Sequence, residues 1–364
     1  MSSIPVDASI KRILVVNFGG IGDEILFFPV IQSLREAYPQ AHLTALVEPR
    51  CEGIMRFNPA IDEVVTFDAK HKPTVPDFLK LVAKLRAQRF DLAITAGSSP
   101  IMALLVWLTG ARYRVGYATH KYTFLLTQAV PLNKAQYAAH MYHDLVGYLD
   151  KQPRLPQMTV SPADREWAKQ FLLDAGVSGD RPVVVFHPGV SKLSIEKQII
   201  KGWAPERWVE LGKRLADKGM QIVLAGGPDD EEIIRLIRET GGFPAIEAFG
   251  KTKGMGQLAA LIEQADGMVA VDSAPMHVAV AVSTPVAAIF GPTDPAKLLP
   301  TGTAHVAVHV DTLSCRPCLW DRRATSCAEL TCLKDLSVDM LENAVQKILP
   351  TKYIHGKEQS QQSS

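Results

Sequence analysis

Short apolar runs alternate with amphipathic stretches along most of the chain. Arg12 to Phe18 (RILVVNF), His42 to Val47, Glu63 to Phe67 and Asp91 to Thr95 read as strands. Between them, Asp23 to about Ala37 places Ile25, Leu26, Val30 and Leu34 at helical spacing. Phe78 to Gln88 sets Phe78, Leu79, Val82 and Leu85 on one face, with Lys80, Lys84 and Arg86 on the other. A Pro-rich polar segment, Gln152 to Pro162, then breaks the pattern and reads as a linker. A helix at Asp164 to Ala175 opens a second alternation. Its strands are Val183 to Phe186, Gln221 to Ala225, Gly267 to Val271 and Val286 to Phe290. Its helices run from Pro205 through Leu215, then Asp230 to Glu239, Gln257 to Gln264 and Met276 to Val282. Strands and helices in strict alternation predict α/β units with parallel sheets covered on both faces.

The expected domains are residues 1–155 and 156–335, with a closing helix at 336–350 (Ser337 to Leu349) that could pack on either. The tail 351–364, Gln- and Ser-rich from His355, is expected to be disordered. A length of 364 residues suits two such domains. The formal net charge of +1 does not advertise nucleic acid as a partner. Charge is unevenly spread, however. From Lys70 to Lys134 there are ten basic residues (Lys70, Lys72, Lys80, Lys84, Arg86, Arg89, Arg112, Arg114, Lys121, Lys134) against Asp77 and Asp91, a net of plus eight. That stretch is either an ordinary solvated face or an attraction for an anionic acceptor or an acidic membrane surface. Met1 to Ile10 has no apolar signal core, and Ile101 to Leu108 is too short to span a bilayer. The expected location is the cytoplasm, with any membrane contact peripheral, on the inner face of the plasma membrane.

Ligands of open α/β sheets bind beyond the carboxyl ends of the strands, so the residues that follow each strand carry the candidate chemistry. After the first strand comes Gly19-Gly20-Ile21-Gly22-Asp23, which lacks the dinucleotide spacing and so argues against a nicotinamide dehydrogenase. Asp23 is either a helix N-terminal carboxylate favoured by the dipole or a general base on an acceptor hydroxyl. Gly20, Gly22, Arg50, Arg112 and Arg114 are the further acceptor-side candidates. In the second half His187-Pro188-Gly189 is followed by Lys201-Gly202-Trp203-Ala204-Pro205, where Lys201 can reach phosphate oxygens. Gly226-Gly227-Pro228-Asp229-Asp230-Glu231-Glu232 offers an acid for a ribose hydroxyl, and spacing alone does not choose among the four. Asp272-Ser273-Ala274-Pro275-Met276-His277 makes a helix N-terminus suited to a diphosphate. Gly291-Pro292-Thr293-Asp294-Pro295 is another tight turn at the same edge. The bland readings are a capped helix for Asp272 and Ser273 and a core histidine for His277.

Together these motifs resemble the bacterial glycosyltransferase family of the lipopolysaccharide heptosyltransferases, family 9, from Ile13 to about Leu349. The resemblance implies a GT-B fold, two Rossmann-like domains facing across a cleft, with the donor held mainly by the C-terminal domain. It implies inversion at the anomeric carbon without a required metal or cofactor. The donor would be ADP-heptose and the acceptor an anionic glycan, glycolipid or lipopolysaccharide core. By position Asp23 corresponds to the base and Lys201 to the residue that stabilises the leaving diphosphate. Asp272, Ser273 and His277 correspond to the diphosphate loop, and Glu231 to the ribose acid, its register open by one residue. The chain departs from the family pattern in two places. Ala274 stands where Gly is frequent, and Ala96-Gly97-Ser98-Ser99 replaces an acidic-Gln-Gly type turn on the acceptor side.

Cys315, Cys318, Cys327 and Cys332 occur in a pattern that many members of that family share. They either hold a structural zinc or pack as reduced cysteines. Three rival functions stay open at this level: a transferase of the same fold that uses another nucleotide sugar for a different surface polysaccharide, a sugar-nucleotide epimerase, and a non-catalytic nucleotide-binding protein.

Overall fold

In the computed structural model, described over residues 4–71, 73–319 and 326–350, the chain divides into two compact units, Met1–Thr159 and Val160–Ser364. The break falls inside the Pro-rich segment. Lys72 and the Gln- and Ser-rich tail lie outside the described residues.

The first unit runs β1 (Arg12–Val16), α1 (Ile21–Ala37), β2 (His42–Val47), α2 (Glu52–Met55), β3 (Glu63–Thr66), α3 (Val75–Ala87), β4 (Leu92–Thr95), α4 (Pro100–Leu108), β5 (Tyr113–Tyr117), β6 (Gln128–Val130) and α5 (Ala138–His143). All its strands pair in parallel, in the order β3-β2-β1-β4-β5-β6. Leu14 and Val16 turn to one side of this sheet, where Leu81, Val82 and Leu85 of α3 and Met102, Leu105 and Val106 of α4 meet them. Helix α1 is apolar nearly all round, because Ile25 to Ile31 are all buried.

The second unit runs α6 (Pro162–Asp174), β7 (Val183–His187), α7 (Lys192–Glu196), α8 (Pro205–Asp217), β8 (Gln221–Leu224), α9 (Glu231–Glu239), β9 (Ile246–Glu247), α10 (Met255–Gln264), β10 (Gly267–Val271), α11 (Ala274–Ala281), β11 (Val286–Ile289), α12 (Pro295–Leu298), β12 (Val306–Val308), α13 (Thr331–Lys334) and α14 (Val338–Ile348). Its parallel order is β12-β11-β10-β7-β8-β9. The closing helix packs within this unit: Leu341, Val345 and Ile348 of α14 join the cluster of Val184, Phe186 and Val269.

The sequence pattern leaves out β5, β6, β9 and β12, and it reads α4 only as an apolar run. Physical reasons are visible for each. β6 and β12 have three residues and β9 two, too few to show a period. β5 carries Arg114 in a strand that is otherwise buried. α4 is apolar on every face, so no amphipathic stripe marks it.

One packing feature places a site residue. Trp203 is 2% exposed and stacks edge-on against Trp208, with ring centroids 5.6 Å apart, and Trp208 in turn meets Phe186 at 5.3 Å. The Trp203 indole N–H donates to the Leu336 carbonyl at 3.1 Å. The loop that carries Lys201, two residues upstream, is therefore bolted to the core. Trp203→Ala is expected to cost about 3–5 kcal/mol of unfolding free energy. Urea denaturation reads this, and a loss under about 1 kcal/mol contradicts the anchoring role.

Candidate active site

Each sheet has one place where the strand order reverses direction, and such a switch point leaves a crevice at the carboxyl edge. In the first unit it lies between β1 and β4, in the second between β7 and β10. Asp23 lies at the first of these places, and Lys201, Asp272 and Ser273 lie at the second.

In the first unit the chain leaves β1 through Asn17 and the glycine turn. The Gly20 N–H donates to Asp23 Oδ2 at 2.7 Å, and the Tyr142 hydroxyl donates to Asp23 Oδ1 at 3.2 Å. Each carboxylate oxygen thus has one fixed donor, and Asp23 remains partly exposed. A Cβ on Gly19 would stand 2.3 Å from the Asp23 Cβ, so only glycine fits there. Arg50 approaches the same turn: a Cβ on Gly20 would stand 3.5 Å from both its guanidinium and Asp23 Oδ2. Lys70 Nζ donates to the Gly19 carbonyl at 2.9 Å, and burial lowers its pKa, with Arg50 adding to the effect. Gly22 sits in the first turn of α1.

Behind Asp23 lies a carboxyl that the sequence reading passed over. Glu24 is fully buried, and neither of its oxygens has a hydrogen bond of ordinary geometry. Glu48, 3% exposed at the end of β2, also keeps one oxygen without a partner. Burial raises the Glu24 pKa well above the ordinary carboxylate value; the Asp23 charge adds to this and Lys70 opposes it.

In the second unit Lys201 Nζ lies 3.2 Å from Asp272 Oδ2, and the Thr293 hydroxyl donates to the same oxygen at 2.7 Å. Asp272 is 3% exposed. It holds the lysine head at the switch point, beside the start of α11. Ser273 occupies the N-cap of α11 but makes no side-chain cap, and its buried hydroxyl has no partner. Pro275 has no N–H and the Met276 N–H donates to the Ser273 carbonyl at 3.1 Å, so the start of α11 offers an anion the Ala274 N–H, the helix dipole and the unpartnered Ser273 hydroxyl. Ala274 begins the helix and is not among the residues with positive φ, so the backbone there does not need glycine.

Lys201 also borders a cavity of about 550 Å³ lined by Pro188, Gly189, Asp229 and Glu232, with Ile195, Ile199 and Ile233 as apolar walls. Glu231, the residue the resemblance points to for the ribose, is exposed at the start of α9 and outside this cavity. The reason is helical geometry: Asp229, Glu232, Ile233 and Leu236 share one face, and Glu231 lies off it.

Four further expectations are corrected. Arg112 precedes β5 and Arg114 is its second residue, so both sit toward the amino edge of a parallel sheet, away from Asp23. The Arg114 guanidinium is spent on the carbonyls of Ala111 and Leu125, both at 2.7 Å. Met276 is fully buried among core side chains of α11 rather than turned to a ligand. His187 is 4% exposed and faces Asp230, Nε2 to Oδ2 at 3.5 Å, and burial lowers its pKa. The Gly227 N–H donates to Asp230 at 2.6 Å, which ties the Gly226-Gly227 turn to the Pro188-Gly189 turn. A Cβ on Gly189 would fall 1.6 Å from Asp230, so that turn tolerates only glycine. His277 is 5% exposed. Cys332 is buried, Cys318 half-buried, and Cys315 and Cys327 are exposed. Among the described residues no three His, Cys, Asp or Glu side chains are grouped to hold a metal.

Of the residues missed, Asn17 and Glu48 directly follow strands, and that position could have flagged them. Tyr142 reaches Asp23 from 119 positions away, and nothing local in the sequence marks it.

Two doubly wound parallel sheets, each with polar residues at its switch point, define an α/β protein of the GT-B fold. Solved structures of that fold agree. The glycosyl transferase family 9 protein from Veillonella parvula DSM 2008 superposes with a TM-score of 0.80 at 22% identity, over 98% of this chain and 100% of that one. The E. coli ADP-heptose lps heptosyltransferase II superposes with a TM-score of 0.72 at 23% identity, over 93% and 98%. Residues 78–328 match the family model of glycosyltransferase family 9 (heptosyltransferase). Lipopolysaccharide heptosyltransferase 3 of Escherichia coli is 29% identical over 284 residues, 75% of this chain and 81% of that protein. The chain belongs to glycosyltransferase family 9 and is a glycosyltransferase.

A carboxyl protonated more easily in the folded than in the unfolded chain stabilises the fold below its unfolded pKa and loses that contribution as pH rises. Glu24 is such a group, with an ordinary value of 4.5. Glu24→Gln is expected to raise the Tm at about pH 8 and to leave it nearly unchanged at about pH 4. An equal shift at both pH values contradicts this account of the buried carboxyl.

Proposed function

We propose that the chain transfers a heptose from ADP-heptose, with inversion, to a hydroxyl of an anionic glycan or lipopolysaccharide-core acceptor, without a required metal, at the inner face of the plasma membrane. The observation that carries the reading is Asp23, fixed by the Gly20 N–H and the Tyr142 hydroxyl at the switch point of the first sheet. A carboxylate so held suits a general base. It takes the acceptor hydroxyl proton as that oxygen attacks the anomeric carbon. The bond from that carbon to the diphosphate oxygen breaks, and its electron pair leaves with ADP. Attack from the side opposite the leaving group inverts the centre.

The leaving diphosphate gains one unit of negative charge on the oxygen freed from the anomeric carbon, and the protein must meet it. Lys201, released from Asp272 or shared with it, and the Ala274 N–H with the dipole of α11 supply that positive field. This is the service a divalent ion would otherwise render, which is why the reading needs none. Arg50 and Lys70 beside Asp23 favour an anionic acceptor. The donor is assigned from kinship: a solved relative in E. coli is named for ADP-heptose.

The Ala96-Gly97-Ser98-Ser99 turn favours one variant of this reading. It follows β4, which pairs with β1 across the same switch point as Asp23. Its lack of an acid or amide there points to an acceptor outside the usual inner core, built into another surface polysaccharide.

Asp23→Asn is expected to lower kcat by about 10²–10⁴-fold, while ADP still raises the Tm of the variant as in the parent. Transfer at the parental rate would remove Asp23 from the role of base. Lys201→Ala is expected to weaken ADP binding, read by calorimetry, by about tenfold or more, as befits a lost charge-assisted contact. Unchanged ADP affinity would place the diphosphate elsewhere.

A further inference from the structure

Ten large apolar side chains stand exposed among the described residues, and six of them fall between Val75 and Phe124. They are Val75 and Leu79 on α3, Ile101 and Trp107 on α4, and Tyr122 and Phe124 on the turn Lys121–Leu125. Helix α4 packs against both α3 and that turn, so the three segments form one continuous surface. None of the six serves the fold. The core is supplied by the opposite sides of the same elements, through Leu81, Val82 and Leu85, through Met102, Leu105 and Val106, and through Leu126. Val75 is 72% and Phe124 73% exposed. Side chains of this size cost solubility unless something covers them.

The polar part of this surface is one-sided. From residue 75 to 124 the exposed charges are Lys80, Lys84, Arg86, Arg89, Arg112 and Lys121, against Asp77 alone. The second acid of the stretch, Asp91, is engaged by the backbone N–H groups of Lys11 and Arg12. Cation and ring are interleaved at the turn: Lys121 Nζ lies 5.6 Å from the Tyr122 ring centroid, and the Tyr122 and Phe124 rings are 6.1 Å apart. No described helix is long and apolar enough to cross a membrane, so contact with a bilayer would be made from its surface.

We propose that this face of the first unit docks on an anionic lipid bilayer. Tyr, Trp and Phe are amphipathic or apolar bodies that settle at headgroup depth, and lysines beside them meet lipid phosphates. Binding of this kind adds the effects of several modest contacts, requires both apolar and basic parts, and weakens with salt. The inference deepens the proposed function, because an acceptor glycan anchored in lipid would be brought to the unit that carries Asp23.

The test is co-sedimentation of the full chain with vesicles of phosphatidylcholine, and of phosphatidylcholine mixed with phosphatidylglycerol. The expected result is binding to the mixed vesicles that is at least about tenfold tighter than to phosphatidylcholine alone and falls with added salt. The paired changes Tyr122→Ser with Phe124→Ser, and Lys80→Glu with Lys84→Glu, should each weaken it by about tenfold or more. All four positions are exposed, so folding is preserved, and an unaltered ADP-induced Tm shift checks it. No sedimentation, or sedimentation that neither pair alters, overturns the proposal. So does concentration-dependent self-association abolished by the Tyr122 and Phe124 changes, which would make the face a protein interface. Vesicle binding needs neither acceptor nor turnover. Its failure therefore leaves the transferase reading standing, and loss of transfer with vesicle binding intact strikes that reading alone.

Discussion

In both units one carboxylate folds back onto the backbone N–H of a glycine three residues earlier: Asp23 onto Gly20 at 2.7 Å and Asp230 onto Gly227 at 2.6 Å. A hydrogen bond to a charged group contributes about 1.5–3 kcal/mol, enough to fix the turn that follows a strand. Each turn also needs glycine for room, since the carboxylate occupies the space a Cβ would take at Gly19 or Gly189. What differs is the surroundings of the carboxylate. In the first unit its other oxygen meets Tyr142 and the group stays partly exposed. In the second the carboxylate is buried, and the oxygen that accepts from Gly227 also faces His187. The same local device thus leaves its carboxylate partly exposed in one unit and buries it in the other.

The second unit holds a lysine head in place through the core and a buried carboxylate. Lys201 is set by Trp203 below it and by Asp272 beside it. Asp272 is set in turn by the Thr293 hydroxyl. Next to this chain the start of α11 is left without a side-chain cap. Ser273 does not cap it with its side chain, so the Ala274 N–H and the positive end of the helix dipole face a ligand. Lysine and helix end converge at one switch point because β7 and β10 are neighbours in the sheet although far apart in sequence.

Much of this was legible in the sequence, for a physical reason. Strand periodicity and the glycine and proline punctuation are local, and in a doubly wound sheet ligands bind beyond the strand ends; the candidates Asp23, Asp272 and Ser273 stand at strand ends, and Lys201 lies in the loop between α7 and α8. The errors came where position along the chain does not fix direction in space. Arg112 and Arg114 are basic and close in sequence to useful loops, yet they flank the wrong end of β5. Glu231 is one helical step from the cavity wall, and Glu232, within the one-residue register left open, lines it. Met276 follows the phosphate loop but turns inward. Tyr142 and the buried Glu24 depend on packing between distant segments, which no local pattern encodes.

The central proposal is an inverting transfer in which Asp23 takes the acceptor proton and Lys201 stabilises the leaving diphosphate. The most direct measurement is NMR of the reaction with ADP-heptose, with and without a lipopolysaccharide-core acceptor. The account predicts ADP release that depends on the acceptor and a product whose anomeric configuration is opposite to that of the donor. Retained configuration, or turnover of the nucleotide sugar at the same rate with no acceptor present, would contradict it.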